Sequence, residues 1–155
     1  MIPIKWLAGF FDGEGCISMT IVGKHRRVAV RIQLTNTNAA LLRRIKKEYG
    51  GIFVQKTFKH KPHWKPYCAL LWTSRKAEVF LEQIFEHLIL KRKQAVLARQ
   101  FFKLRHSLGR LESGSVEGVP RSERSYRARL RPEVVEKEAS MKVEMHKLNK
   151  KGVLI

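Results

Sequence analysis

The sequence predicts an α+β fold, in which antiparallel hairpins and helices alternate along a single domain. An apolar segment with helical character comes first in the 155-residue chain. Two pairs of segments with alternating apolar and polar residues follow, and each pair leads into a segment whose apolar residues have helical spacing. These observations give the order α-β-β-α-β-β-α-α-loop-α, and a hydrophobic content of 44% is sufficient for a core of that size.

The first helix is followed by a hairpin. A proline near the start and apolar residues on nearly all sides indicate a helix over residues 3–13, which Gly13 and Gly15 end. Residues 16–23 and 27–35 alternate in polarity, as half-buried strands do. The outer face of the second strand is polar and basic, and it carries Arg27, Ala29, Arg31, Gln33 and Thr35.

A second set of elements repeats this order. Asn36 or Asn38 caps a helix over about 38–49, which two glycines end. The elements that follow are a strand over 52–59, a strand over 67–73, a helix over about 75–89, a helix over 91–106, a basic loop over 107–131 and a helix from Pro132 to about Lys151. We expect residues 1–106 to form the core domain and the helix within 132–155 to pack on it.

The charge of the chain indicates a polyanionic partner. The chain has 32 lysines and arginines and 13 acidic residues, so its formal net charge at pH 7 is 32 − 13 = +19. Nucleic acid fits this charge better than a membrane surface, because no basic amphipathic helix, lipidation signal or bilayer-spanning apolar run is evident. We also see no secretory signal, and the apolar contexts of Cys16 and Cys68 favour a reducing compartment.

The distribution of acidic residues points to one special position. Through residue 77 the acids are Asp12, Glu14 and Glu48, against fifteen lysines and arginines. Two of the three lie together at the end of the first helix. DNA repels carboxylates, so a DNA-binding surface keeps one for a cap, an ion pair or a metal ligand.

The segment around these acids resembles a known family signature. Residues 7–15 read L-A-G-F-F-D-G-E-G and resemble the LAGLIDADG motif, with Glu14 at its second acidic position. The α-β-β-α-β-β-α order is that of the family's domain, and residues 91–95 (KRKQA) resemble a stretch of its single-motif members. The resemblance implies the αββαββα fold, with a saddle-shaped four-stranded antiparallel sheet in each protomer and extra C-terminal helices.

A single motif copy is similar to the homodimeric members of the family. Small residues at positions 8, 9 and 13 would let a second helix approach closely about a two-fold axis. The expected dimer contacts are Leu7, Ala8, Gly9, Phe11 and Asp12. A plain core helix is the alternative, and Asp12 could instead cap helix ends.

The resemblance also implies a metal site and accessory residues. Glu14 and the carbonyl of Gly13 would ligate a divalent cation, Mg²⁺ above all, with Mn²⁺ as a substitute and Ca²⁺ binding without cleavage. Lys91 and Asn36, with Gln33 close by, match the family's accessory catalytic positions. The family's further basic residue at the start of the second helix has no clean match. No organic cofactor is expected.

The outer faces of the two hairpins are the expected DNA surface. Their donors and acceptors suit base edges in the major groove, and a strand of eight or nine residues spans roughly 30 Å, or about 9 base pairs. The expected strand and turn contacts are Ser18, Thr20, Lys24, Arg26, Arg27, Arg31, Gln33, Gln55, Thr57 and Lys59. Arg124 and Arg127 of the basic loop would meet phosphates.

The activity implied by the resemblance is that of a homing endonuclease. Such an enzyme hydrolyses both strands of a long, near-palindromic DNA site across the minor groove, with Mg²⁺, and leaves 3′ overhangs. The gene would be intron-encoded and the protein intracellular, in a chloroplast, a mitochondrion or a prokaryotic cytoplasm. The alternatives are a non-cleaving intron RNA maturase and a DNA-binding regulator, but neither needs the carboxylate of Glu14.

Overall fold

In the computed structural model of the chain, residues 1–23, 27–57, 66–109 and 132–150 are described. The helices are α1 (Ile4–Glu14), α2 (Ala39–Tyr49), α3 (Ser74–Ile84), α4 (Arg92–Gly109) and α5 (Pro132–Leu148). The strands are β1 (Gly15–Val22), β2 (Arg27–Asn36), β3 (Ile52–Lys56) and β4 (Tyr67–Thr73). The predicted α+β class and element order are confirmed.

Three element boundaries differ clearly from the prediction. The helix predicted over 91–106 runs to Gly109, into the segment expected as a basic loop, of which residues 110–131 lie outside the described part of the chain. β3 ends at Lys56 rather than at residue 59, and residues 58–65 lie outside the described part of the chain. The helix predicted to 89 ends at Ile84, and a short 3₁₀ turn over Phe85–His87 follows it. Phe85 and Leu88 are also buried, so the apolar spacing of the helix continues through this turn. The helix was predicted too long for that reason.

The four strands form one antiparallel sheet in the order β1-β2-β4-β3. Side chains of a strand alternate between faces, and the burial of β2 follows that rule. Val30, Ile32 and Leu34 are buried on the inner face, under the helices. The odd-numbered residues of β2 lie on the other face, which we call the outer face.

The core lies between the inner face of the sheet and the helices. Phe80 of α3 stacks on Trp72 of β4, with ring centroids 3.9 Å apart, and Phe11 of α1 meets Phe80 edge-on. The Trp72 indole donates to the Tyr49 carbonyl at 3.0 Å. Gly51 has a φ of 99°, and a Cβ there would come within 2.9 Å of the Trp72 ring, so only glycine fits this turn.

The C-terminal helix α5 packs on the same unit. The Arg105 guanidinium of α4 forms an ion pair of 2.7 Å with the buried carboxylate of Glu138, and the Asn149 amide donates to the Ile17 carbonyl at 2.8 Å. These contacts hold α5 against α4 and the β1 edge of the sheet. Within the described ranges, no helix is both long and apolar enough to cross a membrane.

Candidate nucleic-acid interface and metal site

The end of α1 presents a free carboxylate. Glu14 is the last residue of α1, it is exposed, and the described residues offer its side chain no hydrogen bond or ion pair. The last carbonyls of a helix lack intrahelical donors, so the backbone carbonyl oxygens of Gly13 and Glu14 are also available as acceptors at this end of α1. A Cβ at Gly15 would collide with Phe11, so the chain can enter β1 this tightly only with glycine there.

Asp12 has an internal role. Its carboxylate is buried and accepts three backbone N–H bonds, from Ile89 at 2.7 Å, Leu90 at 3.2 Å and Lys91 at 3.0 Å. A carboxylate suits this position because free N–H groups and a positive partial charge collect before a helix, here α4. These bonds match the capping alternative for Asp12, and they occupy the carboxylate that was expected to contact a partner helix.

Lys91 lies beside this end of α1. Its ammonium donates to the backbone carbonyl of Asp12, two residues before Glu14. Partial burial raises the pKa of the nearby Cys16 thiol, and the cations of Lys91 and Arg31 oppose that shift. The positive charges of Lys91 and Arg31 therefore both act on Cys16 at the start of β1, two residues after Glu14 in the sequence.

The outer face of β2 carries a connected row of polar side chains. Arg31 donates to the Gln33 amide oxygen at 3.2 Å, and the Gln33 amide nitrogen donates to the Thr35 hydroxyl at 2.8 Å. The sheet register places Ser18 opposite Arg31 and Cys16 opposite Gln33. Sequence analysis assigned no role to Cys16, although its alternation with Ser18 and Thr20 indicates this face.

Asn36 does not join this row. As an even-numbered residue of β2 it belongs to the inner face, with the buried residues of that strand, and its side-chain oxygen accepts from the Asn38 backbone N–H at 2.9 Å. Asn38 in turn caps α2 by accepting from Leu41 at 3.0 Å. Asn36 thus orders the turn before α2, and the structure does not bring it to Gln33 as the catalytic assignment requires.

The outer-face assignment of β3 is shifted by one residue. The register pairs Gln55 with buried Cys68 and Phe53 with buried Leu70, so Gln55 has the parity of the inner face and Thr57 lies beyond the strand. A one-residue shift moves every side chain of a strand to the opposite face. The outer-face placement expected for Gln55 is therefore wrong, Thr57 belongs to neither face because the strand ends before it, and exposed Lys56 is the β3 cation on the outer face.

The other expected contacts divide into two groups. Thr20 and Arg27 belong to the outer face, at the end of the β1–β2 hairpin. Five expected contacts lie outside the described residues, and these are Lys24, Arg26, Lys59, Arg124 and Arg127.

The exposed side of α1 differs from the expected dimer face. Leu7, Ala8 and Phe11 are completely buried in the core of this chain, so they cannot form a surface for a partner. Trp6, Gly9, Phe10 and Gly13 are among the exposed or half-exposed residues of α1, and the rings of Trp6 and Phe10 stack with centroids 5.1 Å apart. A Cβ at either glycine would meet none of the described residues within 4 Å.

The residues at the end of α1 fit a hard divalent cation only in part. The described residues contain no cluster of three or more His, Cys, Asp or Glu that would enclose a metal. Glu14 and a backbone carbonyl supply two oxygen ligands. That donor set suits Mg²⁺, which keeps several waters and takes its other ligands from phosphates.

Comparisons of the sequence identify relatives. A profile of the family described as LAGLIDADG endonuclease matches residues 7–103. The chain is 34% identical over 109 residues to the DNA endonuclease I-CvuI of Chlorella vulgaris, and the match covers 66% of this chain and 65% of that protein. It thus spans slightly less than two thirds of the relative's length.

Solved structures share the fold. I-CvuI in complex with its target in the presence of 2 mM Ca has a TM-score of 0.66 at 23% identity, covering 98% of this chain and 85% of that chain. I-CvuI with the I-CreI target in 2 mM Mg, where the DNA is not cleaved, has a TM-score of 0.67 at 22% identity over the same shares. The archaeal intron-encoded I-Vdi141I bound to DNA has 0.67 at 18% identity, covering 96% of this chain and 85% of that chain.

Proposed function

The chain belongs to the LAGLIDADG endonuclease family, and we propose that it is a homing endonuclease that hydrolyses both strands of a long DNA site. The observation that carries this proposal is the exposed carboxylate of Glu14, without an ion pair among the described residues, at the end of a helix whose Asp12 carbonyl receives the Lys91 ammonium. A surface that only binds polyanions gains nothing from such a carboxylate, whereas a hydrolytic site needs one for its metal.

Glu14 and the Gly13 carbonyl would hold Mg²⁺, Mn²⁺ would substitute for it, and Ca²⁺ would bind without supporting cleavage. The bound ion supplies a Lewis acid for the phosphodiester and a source of hydroxide at neutral pH. Lys91 neutralises the negative charge that develops on the phosphate, because its ammonium is held at the end of α1. Gln33, which lies opposite Cys16, orients water with its amide.

The outer face of the sheet would read the DNA. The hydrogen bonds along Arg31, Gln33 and Thr35 restrict their side chains before DNA binds, which lowers the entropy lost on binding. Arginine and glutamine pair well with guanine and adenine edges in the major groove. This face would thus specify the sequence, while cleavage occurs across the minor groove at the end of α1 and leaves 3′ overhangs.

A second copy of the chain would complete the enzyme. Glycine inside a helix costs about 1 kcal/mol relative to alanine, and no neighbour in the described part of the chain requires Gly9 or Gly13 to lack a side chain. Both glycines are explained if a partner helix packs against α1 with the two backbones in contact, because a side chain at either position would hold the helices apart. Trp6 and Phe10 would be covered in the same contact, and the two-fold axis would make the DNA site near-palindromic.

A plasmid library with randomised long sites tests the proposal. We expect Mg²⁺ to support double-strand cuts at one near-palindromic site and Ca²⁺ to support binding alone. Glu14→Gln should bind and not cut, whereas Glu136→Gln, which changes an exposed acid on α5, should cut like the wild type. Binding without cuts in any divalent ion would contradict the proposal and favour the maturase or the regulator, which RNA binding would then distinguish.

A further inference from the structure

A groove of about 370 Å³ separates α5 from β1, the strand at one edge of the sheet. Ser18 and Met19 line its strand side, and Lys142, His146 and Asn149 are among the residues of its helix side. No acidic residue in the described ranges lines it. Its lining is mainly apolar, from Met19, Val143 and Met145, and the ammonium of Lys142 and the imidazole of His146 lie beside that apolar surface.

The packing of α5 determines which of its residues face the groove. The stripe of α5 that is buried against the domain consists of Val134, Glu138, Met141 and Met145. The Asn149 amide fixes one end of the helix to the Ile17 carbonyl of β1 at 2.8 Å. Lys142 and His146 are four residues apart and thus neighbours on one side of α5, next to the strand edge.

These two side chains have no internal partner. Lys142 is half-buried, and among the residues that the structure describes neither it nor His146 has a hydrogen bond or ion pair. Glu138, one turn before Lys142, is paired with Arg105 at 2.7 Å. A partly buried ammonium without a counterion is unfavourable, so an anion from outside the chain would stabilise this arrangement.

The position of the groove indicates which anion. Ser18 lies on the outer face opposite Arg31, where the proposed function places the bases. A duplex on that face carries its phosphates past the β1 edge. We propose that Lys142 and His146 bind a phosphate of the DNA backbone at this edge, as a sequence-independent contact that fixes the position of the duplex. This inference rests on the proposed function.

The test compares two lysines on α5. Lys142→Gln removes the proposed contact, and Lys147→Gln is the matched control, because residue 147 is exposed and about 140° around the helix. Affinity for the recovered target and for a long random duplex is measured in Ca²⁺ over a range of salt concentrations. Each phosphate contact contributes about 0.9 to the salt slope, and the proposed dimer carries two copies of Lys142, so a fourfold rise in salt should weaken DNA binding by the wild type about 12-fold more than binding by Lys142→Gln.

Lys142→Arg should restore the wild-type slope, which a purely structural role of Lys142 does not predict. His146→Ala should lower the affinity for the target and for the random duplex by the same factor, because a phosphate contact does not depend on the base sequence. Equal slopes for Lys142→Gln and Lys147→Gln would overturn this inference and leave the endonuclease intact. Failure of the wild type to bind either duplex would overturn both, and tight binding of RNA instead would assign the groove to an RNA phosphate.

Discussion

Asp12 and Lys91 hold each other through two sets of contacts. The Asp12 carboxylate accepts the backbone N–H of Lys91 at 3.0 Å, and the Lys91 ammonium donates to the backbone carbonyl of Asp12. The end of α1 is thereby fixed to the segment that begins α4. We call these contacts between Asp12 and Lys91 the clamp. Since Glu14 is two residues beyond Asp12, the clamp also positions the proposed metal ligand.

Removal of the Asp12 charge should destabilise the fold. Asn at position 12 keeps one oxygen acceptor but turns an NH₂ group towards backbone N–H groups, three of which now donate to the carboxylate oxygens of Asp12. We expect Asp12→Asn to lower the free energy of unfolding by about 1–3 kcal/mol in urea titrations. Glu136→Gln, at an exposed site, should change it by less than about 0.5 kcal/mol. Equal stability of the two variants would show that the clamp contributes little.

This clamp could be predicted only in part from the sequence. Capping was one of the alternatives for Asp12, because an aspartate near glycines at a helix end is typical of a cap. Its partners lie 77 to 79 residues away, and no periodic pattern identifies such a contact. The buried side of α1 was also missed, since a helix that is apolar on nearly all sides does not indicate which side meets its own core.

The exposed glycines of α1 provide a test of dimerisation. Gly9→Leu should leave the monomer folded, because no residue that the structure describes lies within 4 Å of the new Cβ. In a dimer the added side chain would separate the two helices, and overpacking of 1–3 kcal/mol at each copy raises the dissociation constant about tenfold or more. Sedimentation equilibrium measures this change. Lys47→Leu on α2 adds the same apolar group at another exposed helical site and should leave the dimer unchanged. If Gly9→Leu dimerised like the wild type, the α1 face would not be the interface.

The register of β3 provides a test with adjacent residues. Lys56 lies on the outer face and Gln55 has the opposite parity. Lys56→Gln should therefore weaken DNA binding and reduce the salt slope of the proposed dimer by about 2, one for each copy, whereas Gln55→Ala should leave both unchanged. Filter binding or fluorescence anisotropy at several salt concentrations gives both quantities. The reverse result would mean that β3 pairs with β4 one residue out of register when DNA is bound.

The two hairpins explain why the sequence predicted one register and missed the other. In β2 four apolar residues alternate with arginines and a glutamine, so its faces are unambiguous and the structure confirms them. In β3 both parities mix apolar and polar residues: Ile52, Val54 and Lys56 on one side, Phe53 and Gln55 on the other. Only pairing with β4 decides between them, and that is a tertiary contact.

The last prediction uses Cys16 as a probe of the DNA surface. Partial burial raises the pKa of its thiol, so the thiolate fraction near neutral pH is lower than that of an unperturbed cysteine. Iodoacetamide should therefore modify Cys16 slowly, with a rate that rises as the pH increases above neutrality. Because Cys16 lies opposite Gln33 on the outer face, target DNA in Ca²⁺ should slow the reaction further, several-fold. Mass spectrometry of the modified peptides follows both cysteines separately. Cys68, which is buried, is the internal control and should react only after unfolding. If tightly bound, saturating DNA left the rate of Cys16 modification unchanged, the duplex would contact a different surface from the one formed by β1 and β2.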